Sequence, residues 1–309
     1  MPRLKTKAAK EKLLRSVRKQ RLKTITILPS LITILNGVCG FAAIVLAGKG
    51  AFAHAGYIIL LAMIADMLDG RVARMSQSTS SFGGQLDSLC DVISFGVAPA
   101  FLTIKIIEHK LQLLQLNSTL SDFLQRFTVL AAATYLSCAA IRLARFNVEN
   151  EEDESAHMSF FGLPTPAAAG VIVSLVIFHQ ETLIKMLEKN SWMYSLCESA
   201  IIYLLPLMLF AVGVLMVSRI RYPHIVNQFV KGKKPFEHLV WLLMLIGLMF
   251  MKWFRQPALL LIFCGFAASG FVKWFYYKVL NKSEKTSQNT TTAPEISSDL
   301  PDIKSQQAN

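Results

Sequence analysis

For its length the chain carries little charge. Only 17% of its 309 residues are Asp, Glu, Lys or Arg, while 53% are hydrophobic. Soluble globular domains carry about 25% charged residues. The shortage excludes an ordinary water-soluble domain and points to long segments buried in lipid. Cysteine is also sparse. Cys39, Cys90, Cys138, Cys197 and Cys264 are scattered and odd in number, without a CxxC or Cys/His spacing. That argues against a disulfide framework and against a zinc site, and leaves them as small apolar packing residues. No internal repeat is visible, which weighs against the paired halves common in transporters. Acidic residues are few, 20 against 32 basic, for a net charge of +12. The basic excess flanks apolar runs, so nucleic-acid binding is not favoured; it fits a positive-inside topology and contact with anionic membrane lipids.

What is abundant is apolar sequence in runs of membrane-spanning length. The runs predict an all-α polytopic transmembrane helix bundle of about eight spans, near 29–47, 51–75, 82–107, 127–143, 166–178, 200–217, 238–251 and 257–275. Residues 1–28 form a basic arm, 29–276 the transmembrane catalytic domain, and 277–309 a Ser-, Thr-, Gln- and Asn-rich tail expected to be disordered. Both ends are expected in the cytoplasm by the Lys/Arg count. Ala51-Phe52-Ala53 looks like a signal-peptide cleavage site, but cutting there would remove the first span and its polar residues Thr33 and Asn36. Residues 108–126 and 180–198 read as outer loops, and the acidic run from Glu149 to Ser155 as a solvated loop.

Against this background the stretch from Asp66 to Asp91 stands out. Asp66 and Asp69 lie three apart, and Asp87 and Asp91 four apart, so each pair shares a helix face. The pairs sit near the turn joining two apolar helices. A carboxylate at the centre of a membrane helix costs roughly 2.5–3.5 kcal/mol on insertion scales, so four together call for a partner. Divalent metal, which takes hard oxygen ligands, is the first choice. An ion-pair cluster with Arg71 or Arg74 is the structural alternative. Gly70 and Ala73 have no bulky side chain and allow a ligand close to the helix backbone. Arg74 has the fork geometry that suits phosphate.

The full spacing is Asp66-x2-Asp69-Gly70-x2-Ala73-Arg74-x8-Gly83-x3-Asp87-x3-Asp91. It resembles, position for position, the signature of the CDP-alcohol phosphotransferases. The resemblance implies that Asp66, Asp69, Asp87 and Asp91 ligate divalent metal, Mg²⁺ or Mn²⁺, as two ions. It further implies that Asp91 is the catalytic base taking the alcohol's proton, and that Gly70, Ala73, Arg74 and Gly83 stand on the nucleotide side. Asn36 reads from the residues alone as a helix–helix hydrogen bond or a place beside the nucleotide; the resemblance, in which this helix borders the nucleotide site, implies the second. The family also implies a homodimer.

Three further stretches resemble the serine-using branch of that family: Asp87 to Ala100, Arg142 to Asn147, and Phe161 to Ala169. The resemblance implies CDP-diacylglycerol as donor, L-serine as acceptor and a bacterial inner membrane; the positive-inside count turns the site to the cytoplasm. A serine acceptor needs a cation for its carboxylate. Arg142 and Arg145 are the candidates, with topology anchoring or lipid phosphate as alternative roles; Ser94 and Asn147 are further candidates. Glycerol 3-phosphate or inositol is the alternative acceptor, and an ion or metal transporter the rival from another class.

Overall fold

The structure, a computed structural model, describes residues 30–76, 81–114, 118–152, 162–183, 192–218, 220, 256–270 and 272. The chain divides into two compact units, Met1–Gly270 and Phe271–Asn309; the fold described here is that of the first. Every described element is helical. In order they are α1 (Ser30–Gly48), α2 (Phe52–Ser76), α3 (Ser81–Asp91), a π-helical turn (Val92–Val97), α4 (Ala98–Leu114), α5 (Ser118–Glu152), α6 (Thr165–Phe178) with a π-helical end (His179–Leu183), α7 (Trp192–Val217) and α8 (Gln256–Gly270). Among the described residues six helices are long and apolar enough to cross a membrane, with α8 a shorter apolar helix. The span expected at 238–251, the basic arm and the tail lie outside the described residues.

Three loop expectations are corrected; in one of them, 180–198, the described residues are helical, with the π-helical end of α6 running to Leu183 and α7 beginning at Trp192. Residues 108–126 are mostly helix: α4 continues to Leu114 and α5 begins at Ser118. The polar residues that suggested a loop are used along the helices. Lys105 pairs with Glu108 at 2.8 Å across one turn, His109 sets its ring edge against Phe52, and Lys110 is buried. The start of the acidic run is also helical, because α5 carries on to Glu152. Leaving the apolar layer does not end a helix whose backbone bonds already satisfy its own groups.

The centre of the bundle is α6, where every residue from Ala168 to Ser174 is buried. A helix apolar all round belongs inside. Small residues let its neighbours approach closely. Gly56 of α2 faces Ile177, where a Cβ would come within 2.9 Å of the side chain, and Gly170 receives the ring of Phe263 from α8. Between α5 and α7, Gly213 lies against the backbone of Tyr135.

Two irregularities shape the end of the bundle that matters below. The π-helical turn follows Asp91 directly and buries Ser94, Phe95 and Gly96. Pro99 has no N–H to offer the carbonyl four residues back, that of Phe95. Tyr135 fills the gap, its hydroxyl donating to the Phe95 carbonyl at 2.7 Å. The second irregularity is the entry to α6. Gly162 has φ +85°, and a Cβ there would run into the Met216 carbonyl. Its N–H donates to Ile220 O at 2.9 Å, and the Leu163 N–H to Leu215 O at 3.1 Å. Pro164 then sets an extended lead-in (φ −53°, ψ 138°) to Thr165.

Candidate active site and metal centre

The C-terminal part of α2 and the whole of α3 carry the four carboxylates. Asp66, Asp69 and Asp87 each offer an oxygen, and these oxygens lie within 4.8 Å of one another. Asp69 is buried, while Asp66 and Asp87 are half-buried. Thr33 of α1 hydrogen-bonds to Asp69. Asp69 Oδ2 and Asp87 Oδ1 are buried without a hydrogen-bond partner. Charges at such separations repel by roughly 3–4 kcal/mol per pair at an effective dielectric near 20. Converging hard oxygens with unsatisfied lone pairs, at a spacing a small cation can bridge, fit a divalent metal. The side chains of Arg71, Ala73 and Arg74 lie outside the described residues, so the ion-pair alternative and their nucleotide-side roles are not addressed by the geometry.

Asp91 lies outside this set of three, yet near enough to feel the charge of each. It is 7% exposed, and its Oδ1 accepts a hydrogen bond from Asn36 Nδ2 at 2.9 Å. Asn36 is fully buried, and its own Oδ1 has no hydrogen-bond partner. The contact exists because α1 comes very close at this level. A Cβ on Gly37 would be 2.9 Å from Cys90 Sγ, and one on Gly40 would overlap Ser94. The Ser94 hydroxyl donates to the Asn36 carbonyl at 2.8 Å. Asn36 therefore does make the helix–helix hydrogen bond considered above, and its partner is a carboxylate of the motif. Ser94 spends its hydroxyl on the same helix contact.

The remaining candidates surround this centre. Beside Gly70 a Cβ would meet open space, and Gly83 is half-buried at the start of α3. Asn147 accepts the Ser88 hydroxyl at 3.0 Å, tying the end of α5 to α3 next to Asp87. Arg142 donates from Nη1 to Thr165 Oγ1 at 3.0 Å, while Arg145 is exposed. Ser88 and Thr165 were not foreseen. Their signals were faint: a serine beside a motif aspartate, and a threonine between two prolines. A groove of about 640 Å³ along the first half of α5, lined by Asp122, Gln125, Arg126 and Val129 among others, holds none of the candidate residues.

A helical bundle whose acidic oxygens converge in this way offers the hard donors of a divalent metal site, of the kind that phosphoryl-transfer enzymes use. The model of the family CDP-alcohol phosphatidyltransferase matches residues 26–268, and the chain belongs to that family. It is similar to the CDP-diacylglycerol–serine O-phosphatidyltransferase of Helicobacter pylori strain J99, 31% identical over 259 residues, which cover 84% of this chain and 95% of the relative. It is also similar to the archaetidylserine synthase of Methanothermobacter thermautotrophicus, 33% identical over 208 residues, 67% of this chain and 73% of the relative. The CDP-diacylglycerol–serine O-phosphatidyltransferase of Bacillus subtilis is 30% identical over 197 residues, 64% of this chain and 90% of the relative.

Proposed function

We propose that the chain transfers the phosphatidyl group of CDP-diacylglycerol to the hydroxyl of L-serine, giving phosphatidylserine and CMP in phospholipid biosynthesis. The observation that carries the reading is the cluster of Asp66, Asp69 and Asp87 beside a separately held Asp91, in a family whose relatives above share serine in their names while differing in the lipid. The serine carboxylate and ammonium are thus the constant part of the acceptor problem.

Asp66, Asp69 and Asp87 would hold divalent metal, Mg²⁺ or Mn²⁺, with Asp91 completing a two-ion site. When bound, the ions neutralise the diphosphate and stabilise charge on the phosphorus under attack. Asp91 takes the proton of the serine hydroxyl as that oxygen attacks in line and CMP leaves. Asn36 holds one Asp91 oxygen by its amide, leaving the other to face the reaction. Open space at Gly70 lets the nucleotide lie along the α2 backbone, with Ala73, Arg74 and Gly83 on the same side. Arg142, with Arg145 as the exposed second cation, meets the serine carboxylate; Asn147 lies at the same end.

The same reading includes a bacterial inner membrane, with the site facing the cytoplasm, and a homodimer. Support for the dimer is the apolar, exposed face of α1 at Leu31, Leu35, Val38 and Phe41, a face equally suited to lipid. The test is CMP release by the purified chain from CDP-diacylglycerol with Mn²⁺ or Mg²⁺, offering serine, glycerol 3-phosphate and inositol separately. Release with serine alone, lost in Asp91→Asn, is the expected result. Release with another alcohol instead would overturn the acceptor assignment and leave the metal site standing.

A further inference from the structure

One nitrogen of Arg142 is anchored by a chain of contacts that begins on another helix. The end of α5 runs antiparallel to α3 and the π-helical turn, in a register marked at two points. Ser88 stands opposite Asn147, 3.0 Å between their side-chain oxygens, and a Cβ on Gly96 would lie 3.6 Å from that of Ala139. Arg142 falls between these points, level with Ile93, so it stands within about one helical turn of Asp91 in depth. From there its Nη1 donates to Thr165 Oγ1 at 3.0 Å. Thr165 is fully buried at the start of α6. It is held from behind, because Gly162 and Leu163 bond through their N–H groups to the carbonyls of Ile220 and Leu215. The end of α7 and Ile220 just beyond it thus hold the loop, the loop holds Thr165, and Thr165 anchors one nitrogen of the guanidinium.

We propose that Thr165 is a positioning residue for acceptor recognition, setting the plane in which Arg142 meets the carboxylate of an amino-acid alcohol. The proposal rests on the serine reading above and deepens it. The donors of a guanidinium lie in one plane, so tying one nitrogen to a fixed oxygen selects that plane for the rest. Bidentate carboxylate recognition needs this alignment. Without the hydroxyl, the loss falls on acceptors that carry a carboxylate and spares both the nucleotide lipid and acceptors without one.

The experiment uses the full-length chain with saturating Mn²⁺. CMP release is measured against serine, against serinol, which lacks the carboxylate, and against CDP-diacylglycerol. Thr165→Val is expected to raise KM for serine about tenfold, a typical loss for a hydrogen bond to a charged group. KM for CDP-diacylglycerol should stay within twofold, the preference for serine over serinol should shrink by a similar factor, and Thr165→Ser should restore both. Thr134→Val, whose hydroxyl serves only its own helix, is the control. Should Thr165→Val not fold, Thr165→Ala is read in the same way. An unchanged KM for serine, or a parallel rise in both KM values without rescue by serine, overturns the proposal while the serine reading stands. Absence of serine-dependent release from the unaltered chain overturns the reading and this proposal with it.

Discussion

Removing the Asn36 side chain isolates one contact of the site. The amide of Asn36 donates to Asp91 across 2.9 Å, with both residues buried. Asn36→Ala leaves that carboxylate oxygen without its donor, and water has little access to replace it. Hydrogen bonds to charged groups are worth about 1.5–3 kcal/mol. At about 1.36 kcal/mol per decade this corresponds to a fall of roughly 10- to 150-fold in kcat, if Asp91 must keep its orientation in the transition state. The assay is CMP release at saturating CDP-diacylglycerol and serine, with Mn²⁺ titrated to saturation so that weakened metal binding is not mistaken for slower chemistry. A kcat within twofold of the unaltered chain would refute the argument that Asn36 orients Asp91. A change confined to KM for CDP-diacylglycerol would place Asn36 on the nucleotide instead, the other role considered from sequence.

Other outcomes follow from the same geometry. Because Asp66, Asp69 and Asp87 repel one another, Mn²⁺ should raise the midpoint of thermal unfolding in detergent; Asp69→Asn should abolish metal-dependent CMP release and shrink that shift. An unshifted midpoint at saturating Mn²⁺ would count against the metal centre. Tyr135→Phe leaves the Phe95 carbonyl, already deprived of a donor by Pro99, without its hydroxyl partner; it should destabilise the bundle by about 1–2 kcal/mol, measured by denaturant unfolding. Gly162→Ala forces a side chain into a positive-φ position against the Met216 carbonyl, and should lower both folded yield and activity. Normal yield and activity would show that the loop has room the structure does not reveal.

Spacing made the acidic centre legible because a helix converts separations of three and four residues into a shared face. Spacing alone treats the four aspartates alike, and only the family resemblance set Asp91 apart as the base. The distinction between Asp91 and the other three depends on α1 pressing Asn36 into place, an approach made by Gly37 and Gly40 against Cys90 and Ser94. No local pattern announces which helix those glycines will meet. Thr165 was obscure for the same reason: its role arises from a loop bonded to the end of α7, some fifty residues further along the chain. The helix ends at Leu114 and Glu152 were missed on physical grounds. Polar residues were read as a departure from helix, whereas Lys105, Glu108 and His109 make their contacts within and between helices. The all-helical membrane class needed no such long-range information, since long apolar runs in lipid leave the backbone few alternatives.

The length of α5 has a consequence for where the chemistry takes place. At 35 residues it measures about 50 Å, against a hydrocarbon layer of roughly 30 Å. Even a tilted helix of that length projects beyond the oily layer. Its sequence turns polar from Arg142, with Arg145, Asn147 and Glu149 following, and Asn147 is bonded to Ser88 beside Asp87. In α2 the charged residues begin at Asp66 and Asp69 and continue with Arg71 and Arg74. The carboxylates thus stand where apolar sequence gives way to charged sequence, a composition that would suit the depth at which a lipid anchored by its acyl chains holds its phosphates. A donor of that kind can react without lifting its tails from the bilayer, and a small hydrophilic alcohol can arrive without entering it. At that depth the long helix would act as a depth gauge that sets two substrates of opposite solubility at one height.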